Sequence, residues 1–146
     1  MKIALACDHG ALDLKNAVAA HLKKQGHEVV DFGSYTLDSC DYPDFAQKAA
    51  TAVASGECER GIVMCTTGIG MSIAANKVAG IRCALLHDVW SAKMTRAHND
   101  ANMMALGAAV TGTMLALEIV DTWLDTPFSE ETKHRRRIAK VKAMEE

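Results

Sequence analysis

The chain has 146 residues, 49% of them hydrophobic, with a formal net charge of −2 and a mean hydropathy close to zero. That is enough for one buried core, hence one domain spanning residues 1–146, but not for two. Nothing in the charge balance points to nucleic acid. No apolar run reaches membrane-spanning length, and the opening Lys2-Ile3-Ala4-Leu5-Ala6 lacks the pattern of a secretion signal, so a cytoplasmic location is expected.

Lys2 to Cys7 is an apolar run that reads as a strand, followed by Asp8-His9-Gly10. Leu12, Leu14, Val18 and Leu22 then recur at helical spacing. Gln25-Gly26 ends that helix, and Glu28 to Phe32 is a second strand closed by Gly33. Ser34 to Pro43 has no periodicity; a loop of that length carrying Tyr35, Asp38, Cys40, Asp41 and Tyr42 often lines a site. An Ala-rich helix is expected from Asp44 to Ser55.

Gly61 to Met64 is the third strand. It leads through Cys65-Thr66-Thr67-Gly68-Ile69-Gly70 into a helix expected over Met71 to Val78. Ile81 to Leu86 reads as a fourth strand, His87-Asp88 as the start of a helix to about Ala97, and Met103 to Gly107 as the fifth strand. Thr113 to Leu124 is a well-patterned helix, and Ser129-Glu130-Glu131 precedes a last, basic helix through Lys142.

Strands alternating with helices five times over imply an α/β protein. The expected architecture is a three-layer αβα Rossmann-like fold with a five-stranded parallel sheet. Ligands bind such sheets beyond the C-terminal ends of the strands, where Asp8-His9, the loop through Tyr42 and the stretch from Cys65 to Ser72 all fall. The first strand is not followed by G-x-G-x-x-G and no phosphate-loop motif is present, so the usual nucleotide fingerprints are absent. The five cysteines form no C-x-x-C pair, and the six histidines no H-x-x-x-H pair, so a metal site has no sequence support. Cys7 and Cys83 read as core residues. His21, His27 and His87 read as helix-surface, strand-start and loop residues.

Cys65 and Thr67 stand at the lip of the sheet beside a helix N-terminus. Free backbone N–H groups there favour a thiolate and can hold a developing negative charge.

Cys7-Asp8-His9-Gly10, Asp41-Tyr42-Pro43-Asp44, the run from Cys65 to Lys77 and His98-Asn99-Asp100-Ala101-Asn102 resemble one family in this order. The chain is similar over nearly its whole length to the B-type ribose-5-phosphate isomerases and the related galactose-6-phosphate isomerase subunits. That resemblance implies interconversion of an aldose phosphate and a ketose phosphate without metal or organic cofactor. It implies Cys65 as the base that moves a proton between C2 and C1, and Thr67 as the relay between O1 and O2. The turn N–H groups of Gly68, Ile69, Gly70, Met71 and Ser72, next to Thr66, would hold the enediolate. His98 would open the sugar ring, with Asp8 and Asn99 on hydroxyls or ring oxygen, Tyr42 lining the site and His9 near the phosphate.

The sequence departs from the family pattern at the phosphate end. Gly107-Ala108-Ala109 stands where many members have Gly-x-Arg, so Ala109 replaces a cation. In Lys133-His134-Arg135-Arg136-Arg137, a lysine replaces one arginine and Arg137 aligns with another. A lysine supplies charge without the bidentate fork of an arginine. Ribose 5-phosphate is the first expectation; galactose 6-phosphate, allose 6-phosphate, a tetrose phosphate, or an idle sugar-phosphate sensor are the alternatives.

Topology adds one step. The helix before His98 descends from the C-terminal edge of the sheet, which puts His98 and Asn99 at the opposite edge from Cys65. A site using both needs a second copy, so a homodimer or dimer of dimers with shared sites is expected.

Overall fold

The computed structural model describes residues 1–145. Five strands form one parallel sheet: β1 (Lys2–Cys7), β2 (Glu28–Asp31), β3 (Arg60–Cys65), β4 (Cys83–Leu85) and β5 (Met103–Gly107), in the order β2-β1-β3-β5-β4. The helices are α1 (Leu12–Lys24), α2 (Tyr42–Ala54), α3 (Ile69–Ala75), α4 (Val89–Asn99), α5 (Thr113–Asp125) and α6 (Thr132–Lys142).

Alternation along the strands divides the core into two layers, because successive side chains point to opposite faces. Ile3, Leu5, Cys7, Ile62, Met64, Met104 and Leu106 pack with α1, α4 and α5, where Trp123 is fully buried. Ala4, Ala6, Val63, Cys65, Met103 and Ala105 face α2 and α3. The second face is lined by small residues on both sides, Ala4 and Ala6 against Ala46, Ala49 and Ala50. Small side chains let the helix backbone approach the sheet closely, and they put Cys65 on that face.

Several element ends differ from the sequence expectation. Helix α2 begins at Tyr42, not Asp44, because Pro43 occupies its first turn, where its missing N–H costs nothing. Helix α3 runs Ile69–Ala75 instead of Met71 to Val78. Strand β4 keeps three residues of the six expected. Arg82 precedes it with its N–H donated to Asn102 Oδ1 at 2.9 Å, outside the strand ladder. Cys83, read as core, is only half-buried on this edge strand, whereas Cys7 is fully buried.

The free edge of β4 is closed locally. Asn76 Nδ2 donates to the Cys83 carbonyl at 2.9 Å, and Asn76 Oδ1 accepts from the Cys83 N–H at 2.8 Å. This exchange also explains why α3 stops where it does.

A second buried device shapes the β2 end. Lys15 is fully buried on α1, with Nζ 2.8 Å from Asp31 Oδ1 and a second hydrogen bond to the Ser34 carbonyl. It fixes the start of the loop that leads to Tyr42. No helix among the described residues is long and apolar enough to cross a membrane.

Candidate active site

The chain turns to one side of β1 to make β2 and to the other to make β3, so the sheet has a switch point between β1 and β3. Asp8 and Cys65 follow those two strands directly. Asp8 is buried, its N–H donates to the Met64 carbonyl, and its Oδ1 accepts the Gly10 N–H at 2.9 Å. Gly10 in turn makes room for Thr66: a Cβ at Gly10 would stand 2.2 Å from Thr66 Oγ1. The Thr66 side chain is thus accommodated by a glycine on the neighbouring strand's loop.

The turn after Cys65 is clamped on β5. Ala108 N–H donates to the Cys65 carbonyl at 2.9 Å and Ala109 N–H to the Thr66 carbonyl at 3.0 Å. Gly68 has φ +78°, and a Cβ there would meet the Leu106 carbonyl carbon at 2.8 Å, so only glycine fits. This left-handed turn aims the Gly68 N–H at the Cys65 sulfur, 3.1 Å away.

Helix α3 has only seven residues, so its effect on an anion comes from individual N–H groups near the turn more than from a macrodipole. Two of them have intramolecular partners: Gly68 donates to Cys65 Sγ and Ile69 to Thr67 Oγ1 at 3.2 Å. The N–H groups of Gly70 and Met71 have no hydrogen-bond partner among the described residues, and Ser72 donates to the Gly68 carbonyl. The donors open to a ligand are therefore Gly70 and Met71, a narrower set than the five-residue turn expected. Tyr42 lies against this turn: a Cβ at Gly70 would meet its ring at 2.8 Å.

His9 stands beyond Asp8 and lines a cavity of about 310 Å³ with Gly10, Leu37 and Ala108. The Cys40 N–H donates to His9 Nδ1 at 3.2 Å, so the neutral ring carries its proton on Nε2. The loop through Cys40 thereby sets which nitrogen of His9 can donate. Asp8, His9, Tyr42, Cys65, Thr66, Thr67 and the turn to Ser72 thus share one edge of the sheet.

His98, Asn99 and Arg137 do not join them. Pairing places Cys65 opposite Gly107 and Gly61 opposite Met103, and Asn99 lies before Met103, at the strand starts. The two ends are separated by four residues of strand, roughly 13 Å. His98, Asn99 and Arg137 line a second cavity of about 740 Å³ with Arg82, Thr95 and His134. Of the other basic residues on α6, Lys133 pairs with Glu131 at 3.2 Å and Arg135 pairs with Glu130, while Arg136 is exposed. Arg137 is the member of the Arg135-Arg136-Arg137 run that faces His98's cavity.

The polar cluster around His98 divides into a face and a frame. Asp100, with φ +46°, ends α4 and accepts from Arg96 Nη1 at 2.8 Å. Asn102 bridges the Arg82 N–H and the Gly80 carbonyl. Arg82 donates to the Asn99 and Asp100 carbonyls at 2.9 and 2.8 Å. These contacts leave His98 and Asn99 on the cavity wall. Sequence reasoning missed Arg82, whose role depends on contacts with residues 17 and 18 positions away. No role was expected of His134. In the structure the His134 ring stacks on His98, with centroids 4.4 Å apart and planes 14° from parallel.

Comparison with known proteins bears on this arrangement. The Ribose/Galactose Isomerase family profile matches residues 3–141. The chain belongs to that family of sugar-phosphate isomerases. It is similar to the ribose-5-phosphate isomerase B structure of Clostridium thermocellum, with TM-score 0.98 and 54% identity over 99% of this chain and 97% of that one. Among curated relatives, ribose-5-phosphate isomerase B of Escherichia coli is 45% identical over 99% of this chain and 97% of its own. D-erythrulose-4-phosphate isomerase of Pectobacterium atrosepticum is 47% identical over 88% of this chain and 85% of its own. The family assignment agrees with the resemblance carried by the motifs, and its members' names show that overall identity does not rank the substrates.

Proposed function

We propose that the protein interconverts ribose 5-phosphate and ribulose 5-phosphate through a cis-enediolate, in sites shared between two copies of the chain. The observation that carries this reading is the Cys65 sulfur held at the sheet's C-terminal edge beside two free N–H groups, while His98, Asn99 and Arg137 gather at the opposite edge.

In this reading the Cys65 thiolate takes the proton from C2 of the open-chain aldose. Charge then develops on the C1 oxygen, where the Gly70 and Met71 N–H groups stabilise it; such preorganised donors commonly supply the largest catalytic term. The Thr67 hydroxyl relays a proton between O2 and O1, and the Cys65 thiol returns its proton to C1. Asp8 holds a sugar hydroxyl and Tyr42 covers the turn. From the second copy, His98 donates the proton that opens the furanose and Asn99 orients the ring oxygen, while Arg137 meets the phosphate together with His9, and Lys133 joins them only on leaving its pairing with Glu131.

A tetrose phosphate is the second substrate reading. Ala109 stands after β5 where many members have the arginine of Gly-x-Arg, and a relative named for erythrulose 4-phosphate is 47% identical over 88% of this chain, beside 45% over 99% for one named for ribose 5-phosphate.

Mixing two inactive variants tests the shared site. Cys65→Ala and His98→Asn chains, unfolded together and refolded, form heterodimers with one intact site. Random pairing then returns about a quarter of wild-type activity. No recovery would rule out sharing. Parallel assays with ribose, erythrose, allose and galactose phosphates identify the sugar.

A further inference from the structure

Helix α6 is basic and mostly solvated, and of its described residues His134 alone is buried. A helix held only by packing would place an aliphatic side chain at such an anchor. Here the anchor is an imidazole, 7% exposed, lying flat on the His98 ring.

We infer that His134 is a positioning residue for His98, fixing the plane in which that ring presents its proton to the sugar ring oxygen. The inference rests on the reading of His98 as the ring-opening acid. An imidazole on a helix end can swing about two side-chain torsions, and a proton donor is effective only when aimed at its acceptor. Stacking on His134 removes much of that freedom while leaving the His98 nitrogens at the rim of the ring, free of the stack.

The surroundings of the stack carry both signs of charge. His134 faces His98 from α4. From its own helix it faces Glu131, with Nε2 4.0 Å from Oε1, and the charges of Lys133 and Arg137. Arg82 and Glu145 line the same cavity. Burial, then the charge of His98, lowers the His134 pKa from its ordinary 6.5. Of the two rings His98 is the more exposed and His134 the buried one. Arg137 sits one turn along α6, so the helix that supplies a phosphate contact also carries the support of the acid.

The test separates ring opening from proton transfer at carbon. Ribulose 5-phosphate is acyclic, because its O5 is esterified, so deuterium exchange at its C1 requires Cys65 chemistry but no ring opening. His134→Ala should lower kcat on ribose 5-phosphate at least about 10-fold, as expected for a weakened general acid, while C1 exchange changes less than about 2-fold. His134→Phe, which keeps a flat ring, should regain most of that loss. Equal losses in the two assays, or no loss on ribose 5-phosphate, would overturn the positioning role. His98→Asn is the reference: if it too turns over ribose 5-phosphate normally, the acid assignment fails, and not merely the role of His134.

Discussion

The Gly68 N–H donates a hydrogen bond to the Cys65 sulfur at 3.1 Å, across a turn that only a left-handed residue can make. That hydrogen bond and the strand end hold the sulfur in place. Cys65→Ala should therefore lower turnover by about 10³-fold or more, the scale of losing a general base, with little change in melting temperature. A coupled isomerase assay measures it, and retention of activity would remove the thiolate from the mechanism.

Gly68→Ala separates geometry from chemistry. Its Cβ would press on the Leu106 carbonyl carbon and on Leu85 Cδ1 at 2.7 Å, at φ +78°. The turn must move, taking the N–H away from the sulfur. Turnover should fall at least about 10-fold, with a stability loss of more than about 1 kcal/mol. Thermal melts and kinetics on the same preparation check both.

The thiols should react in a fixed order. Burial, only partly offset by Lys15, pushes the Cys7 thiol up to about 11, and burial pushes Cys83 up to about 12. Both stay protonated through the neutral range, so alkylation by iodoacetamide near pH 8 should spare them. Modification should appear at Cys65, with protection by substrate, and at the half-buried Cys40. Peptide mapping reads the order directly; rapid labelling of Cys7 in the folded protein would contradict it.

Acid should weaken the docking of α6. His134 is held below its ordinary pKa of 6.5, by burial first and His98 second, so the folded chain binds its proton less readily than the unfolded chain. The folded state is unaffected above pH 6.5 and loses stability as the pH falls through that value, until the folded imidazole also protonates. His134→Phe should flatten this part of the stability curve. Melting temperatures between pH 5 and 8 test the slope.

Lys15→Met probes the buried ion pair. The substitution leaves the Asp31 carboxylate and the Ser34 carbonyl without the Lys15 ammonium. A cost of about 2 to 4 kcal/mol is expected from urea unfolding, the upper end being limited by Asp31's partial exposure.

The local signals were readable and the distant ones were not. Short apolar runs bounded by glycines and polar turns located all five strands, and the Thr-Gly turn after Cys65 announced itself because its constraints lie within a few residues. The end of α3 was overestimated because Asn76, an ordinary helical residue by pattern, is drawn to Cys83 seven positions on. Strand β4 was overestimated because Arg82 is apolar in neighbourhood yet bonded to Asn102 and Asn99. The stack of His134 on His98 joins residues 36 apart in sequence, and nothing in either one's local pattern signals it. The separation of Cys65 from His98, by contrast, followed from strand direction alone.

Asn76 has a consequence for the behaviour of the protein at high concentration. An edge strand with free N–H and C=O groups is a template on which another chain can grow a sheet. The Asn76 amide occupies both groups of Cys83 at the β4 edge, as a neighbouring strand would. Copies that meet at this side are turned away from runaway cross-strand polymerisation and left to associate through side chains, which can specify a finite assembly. Asn76→Ala would expose that edge, and slow aggregation at concentrations where the wild-type chain stays clear would be its mark.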